Sequence, residues 1–140
     1  MDIELERVLN GPIPKQRQRD ARTMLDLMTR ITGQPPEVHG SIIGFGSYEY
    51  RYKSGRTGSG PAAAFAARKD ALVVYLVDGA SAHVEALARV GPHTEGVSCV
   101  YIKDLTLIDR AALEEIIAAS YATLTSGVYT LRAREGRARR

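Results

Sequence analysis

The run from Ser41 to Lys53, SIIGFGSYEYRYK, constrains this chain more than any other stretch, because nowhere else are strand-forming residues so dense. Alternation places Ile42, Gly44, Gly46, Tyr48, Tyr50 and Tyr52 on one face of a strand and Ile43, Phe45, Ser47, Glu49, Arg51 and Lys53 on the other. One face is aromatic and the other ends in charge. Gly44 and Gly46 mark a bulge, a bend or a place where something approaches the backbone closely. The three tyrosines either pack their rings under a helix with hydroxyls at the water's edge, or line a ligand groove.

The flanking elements follow from periodicity and punctuation. Ile3 to Leu9 reads as a short helix stopped at Asn10-Gly11-Pro12. From Pro14 to Thr32 a helical stripe runs through Ala21, Met24, Leu25, Met28 and Ile31, with Lys15, Arg19 and Arg22 forming a basic ridge elsewhere on it. Gly33 ends that helix, and Gln34-Pro35-Pro36 forces an extended approach to the first strand. Ser54 to Gly60 reads as a glycine-rich turn. It fits neither phosphate-loop nor dinucleotide spacing. Ala62 to Arg68 and Ala71 to Val77 are strands, the latter apolar on both faces and so central. Ser81 is an N-cap candidate for a helix with Val84, Leu87, Ala88 and Val90 inward, stopped by Gly91-Pro92. Val97 to Lys103 is a further strand. Asp109 caps a last helix with Leu113, Ile116, Ile117, Tyr121 and Leu124 inward. The order α-β-β-β-α-β-α, with three consecutive strands on short connections, implies an α+β two-layer domain with a mainly antiparallel sheet of about four strands.

A chain of 140 residues fits one domain with a sizeable core. Its single cysteine, Cys99, excludes an internal disulfide and suits a reducing compartment, so a cytosolic protein is the expectation. The opening MDIELERVLNG lacks the pattern of a signal peptide, and no apolar run is long enough to span a bilayer. The net charge of +3 is a property of one end. Residues 132–140, RAREGRARR, hold five arginines and one glutamate, which is +4 and leaves residues 1–131 at −1. The boundary therefore falls between a domain at 1–131 and a basic, disordered tail at 132–140 that supports only weak contacts to nucleic acid.

No catalytic set stands out. His39, His83 and His93 are scattered, without metal-ligand spacing to one another or to the cysteine. Cys99 is either a small core residue or a thiol activated by His93. Glu114, Glu115 and Asp109 sit at a helix start, where acids favour the dipole. The remaining chemistry is basic. Arg51 and Lys53 end the first strand, Arg56 is in the turn, Arg68 and Lys69 lie between strands, and Lys103 follows the fourth. Converging at one opening, they would hold carboxylate or phosphate; standing apart, they protect strand edges from aggregation.

Three segments, IIGFGSYEYRYKSGRTG, FAARKDALVVYL and VGPHTEGVSCVYIKDL before an acidic helix, together resemble the YdhG-like bacterial domain of unknown function over roughly Asp20 to Ala119. The resemblance implies a small α+β domain in the cytosol. A Bacillus member of that family is described as a frataxin-like intracellular iron chaperone, which makes iron a possible cargo, with Glu49, His93 and Glu95 as available ligands. The chain departs from the family in having no tryptophan, in Ala66-Ala67 where Ser-Pro is usual, and in Pro92, Thr94 and Val97 where lysines are usual. The leading expectation is a non-enzymatic binding domain for a small anionic ligand or metal, with Tyr48, Tyr50, Arg51, Arg56, Arg68, Lys69 and Lys103 lining its surface. The alternatives are an interaction module that forms homo-oligomers, and a thiol enzyme using Cys99.

Overall fold

A computed structural model describes residues 2–130. The expected tail at 132–140 lies outside the described residues. The chain runs α1 (Ile3–Leu9), α2 (Lys15–Thr32), β1 (Pro36–His39), β2 (Ile42–Phe45), β3 (Tyr48–Arg51), β4 (Thr57–Gly60), β5 (Ala63–Ala67), β6 (Leu72–Tyr75), α3 (Val84–Val90), β7 (Thr94–Glu95), β8 (Cys99–Ile102) and α4 (Arg110–Thr125). Six strands form one antiparallel sheet in the order β1-β2-β5-β6-β8-β7, and β3 pairs with β4 as a separate ribbon. The α+β class agrees with the sequence reading; the strand number exceeds it. Among the described residues no helix is long and apolar enough to cross a membrane.

The densest strand-forming run is one long hairpin arm that breaks in the middle. Ile42 faces Ala66 and Phe45 faces Ala63; beyond the break Tyr48 faces Gly60 and Arg51 still faces Thr57, so the register runs through without an inserted residue. The break is at Gly46, whose φ of +67° is disfavoured for residues with a Cβ. Tyr121 of α4 lies against this glycine.

One face of the sheet carries the core. Ile43, Phe45, Phe65, Leu72, Val74, Val100 and Ile102 pack against Met24 and Met28 of α2 and Leu113, Ile116 and Ile117 of α4. Helix ends are set by local chemistry. The Asp2 carboxylate accepts from the Glu4 and Leu5 amides at 2.9 and 3.3 Å, Gly33 closes α2 in the left-handed region, and Asp109 accepts from the Ala112 amide at 3.2 Å. Long-range polar ties fix α2 to the segment after β8: Asp20 accepts from the Leu105 amide at 3.0 Å, while Gln16 and Arg17 donate to the Lys103 carbonyl.

Four expectations are corrected. Residues 57–60 are strand β4 rather than turn, because Tyr48 and Tyr50 lay their rings over Gly60 and Gly58. Pro36–His39 and Thr94–Glu95 are strands, and both are edge strands. Ser81 makes no capping bond: a 3-10 turn at Ala80–His83 leads into α3. Val84 and Ala88 face solvent, and Ala86 takes the inward place with Leu87 and Val90.

Candidate functional site

The second face of the sheet follows from the same alternation. Ile42, Gly44, Ala64, Ala66, Val73, Tyr75, Cys99 and Tyr101 lie on it. Its centre has almost no side chains. At Gly44 a Cβ would stand 2.7 Å from the Pro61 ring, so the close approach anticipated for that glycine is real. The buried side chains of α2 belong to the opposite face, and Leu124 at the end of α4 packs against Tyr48 and Ala62 only where the hairpin breaks.

Beside this bare centre is a groove of about 230 Å³, lined by Ile42, Tyr48, Tyr50, Ser59, Gly60, Pro61, Ala62, Ala63, Ala64, Tyr75 and Val77. Two of the three tyrosines, Tyr48 and Tyr50, are in this lining, and Tyr52 is not. Tyr48 is buried against Leu124, and with the half-buried Tyr50 it also walls the groove. Tyr48 and Tyr50 rings sit 5.8 Å apart, Tyr50 and Tyr52 5.2 Å, and the Arg56 guanidinium covers Tyr52 at 4.6 Å. The opposite wall is Tyr75. Its hydroxyl accepts from Arg68 at 3.2 Å, and Arg68 also donates to the Ser41 hydroxyl at 2.6 Å. Two neutral hydroxyls thus aim the guanidinium without neutralising it, and among the described residues no carboxylate pairs with it.

A second hollow of about 380 Å³ lies at the other side of this face, lined by Asp70, Ala71, Pro92, His93, Thr94, Tyr101, Lys103, Asp104 and Leu107. His93 contacts the Gly91 carbonyl through Nδ1 and Glu95 through Nε2, each at 2.7 Å. Both partners are acceptors, an arrangement that favours the protonated ring. Burial alone would lower its pKa; the Gly91 carbonyl and the Glu95 carboxylate outweigh burial and raise it above the ordinary 6.5. Asp104 is held below the usual carboxylate range by hydrogen bonds from the Thr106 hydroxyl and amide.

The chain matches no protein-family model, no curated protein and no solved structure.

The expected site residues are divided among several places. Tyr48 and Tyr50 line the groove and Arg68 reaches its Tyr75 wall, whereas Lys103 belongs to the second hollow. Arg56 is at the hairpin tip on Tyr52. Arg51 is exposed on the other face of β3, and Lys69 is exposed in the turn between β5 and β6. Tyr75, Ala64 and Pro61 were missed; only pairing with β5 gives Tyr75 its place in the wall. His93 is committed to Gly91 and Glu95, so neither ring nitrogen is left to activate Cys99. The thiol instead neighbours Tyr101, whose phenol it pushes above its ordinary value. His93 and Glu95 are paired, but Glu49 is on the distant ribbon. Among the described residues no three His, Cys, Asp or Glu side chains are grouped to hold a metal ion.

One buried polar cluster had no signal in the sequence. His83 Nε2 donates to Asp78 Oδ2 at 2.9 Å, and the Ser120 hydroxyl donates to Asp78 Oδ1 at 2.6 Å. The serine binds the carboxylate rather than the imidazole, so this is not a nucleophile-base-acid relay. It joins the end of β6, the turn before α3, and α4.

Proposed function

We propose that this domain is a non-enzymatic cytosolic binding module that holds a small planar anion in the groove between Tyr48, Tyr50 and Tyr75, with Arg68 as its charged contact. The observation that carries this reading is Arg68, bonded to Ser41 and to Tyr75 of the groove lining and without an ion pair among the described residues, next to a lining that has no charged residue. Aromatic rings and small residues in the lining favour a flat body, and a guanidinium favours a carboxylate or phosphate. Membership of the YdhG-like family belongs to the same proposal and rests on the quoted segments. Native mass spectrometry of the purified protein tests it: the expected result is a retained anionic mass that is lost in Arg68→Gln. An identical spectrum for wild type and variant would refute it.

A second reading is a self-association module, favoured by the edge strands β1 and β7. Sedimentation that shows one species at all concentrations would remove it.

A further inference from the structure

The second hollow carries a charge pattern unlike that of the groove. His93 is paired with Glu95 within the fold, so its ring is not available to a ligand. What remains is the Lys103 ammonium and the Asp70 carboxylate, neither of which is in an ion pair among the described residues, since the Asp104 carboxylate is already held by Thr106 and faces Arg19. The other walls, Pro92, Leu107 and the Tyr101 ring, are apolar.

Each simple ligand class leaves part of this arrangement unsatisfied. A plain carboxylate suits Lys103 and meets Asp70. A plain amine suits Asp70 and meets Lys103. A neutral apolar molecule takes the walls and leaves Lys103 and Asp70 without a partner. A molecule with one ammonium, one carboxylate and an apolar side chain satisfies all three features. The volume of about 380 Å³ is at the small end of ligand sites and suits a body of that size. We propose that this hollow is a second binding site, separate from the groove, for an apolar α-amino acid in its zwitterionic form. Lys103 takes the carboxylate, Asp70 takes the ammonium, and Pro92, Leu107 and Tyr101 receive the side chain.

Calorimetric titration with L-phenylalanine tests the site, with 3-phenylpropionate and phenethylamine as probes that lack one charge each. The expected result is saturable binding of L-phenylalanine, weaker by about tenfold or more for each analogue and in Lys103→Met and Asp70→Asn. Both substituted side chains are exposed, and the Lys103 carbonyl that anchors α2 is untouched. Arg68→Gln, which disables the groove, is expected to leave this binding unchanged. Absence of L-phenylalanine binding, equal binding of either analogue, or indifference to Lys103→Met would overturn the proposal.

Discussion

At the residue scale, the Asp78 carboxylate is an economical anchor, since its two oxygens hold donors from two other elements. Replacing Asp78 with alanine leaves buried His83 and Ser120 donors without an acceptor, and the expected cost is about 2–4 kcal/mol. Ser120→Ala removes one donor and costs about 1 kcal/mol. Urea denaturation midpoints measure both, and equal midpoints for the two variants would contradict the cluster's role. His93 gives a pH signature. Its pKa is raised in the fold, so its stabilisation is complete below its ordinary value of 6.5 and is lost as pH rises through the raised value. Glu95 is substantially exposed, which keeps the effect below about 1 kcal/mol. Thermal melts should show a small loss of stability between acidic and mildly alkaline buffer that Glu95→Gln flattens; a slope unchanged in that variant would assign it elsewhere.

At the element scale, the hairpin explains both what the sequence revealed and what it concealed. Ile43 and Phe45 alternate with Ile42 and Gly44 as pleating requires, so that strand and its two faces were legible. The glycines opposite were not, because glycine is depleted from strands and Ser54 to Gly60 has turn composition. Only the partner strand supplies the reason: the Tyr50 ring occupies the space where a Gly58 side chain would stand, and Tyr48 does the same more loosely at Gly60. Gly58→Ala should therefore destabilise by about 1–3 kcal/mol and Gly60→Ala by less. Chemical denaturation of the pair checks the order, and a reversed order would mean that the rings do not lie as described. Edge strands β1 and β7 escaped notice for a simpler reason. β1, PEVH, has one strand-forming residue and begins on a proline, and β7 has only two residues.

At the scale of the whole molecule, the sequence shows which cations exist but not which of them meet. Arg68 and Lys103 follow different strands of one sheet, and the strand order β2-β5-β6-β8-β7 places one beside a tyrosine groove and the other beside a hollow with carboxylates. Strand order depends on long-range pairing, for which a local pattern carries no signal. The face that results has small, buried residues at its centre, tyrosines at its border and one oriented guanidinium. The central claim is that this groove takes a planar anion through Arg68. An amide-resolved NMR titration with 4-hydroxybenzoate tests it most directly. The account predicts saturable shifts confined to the groove and its arginine, around residues 42, 48–50, 59–64, 68 and 75–77, with affinity reduced by about tenfold or more in Arg68→Gln. Shifts on the helical side, or a titration unchanged in Arg68→Gln, would contradict it.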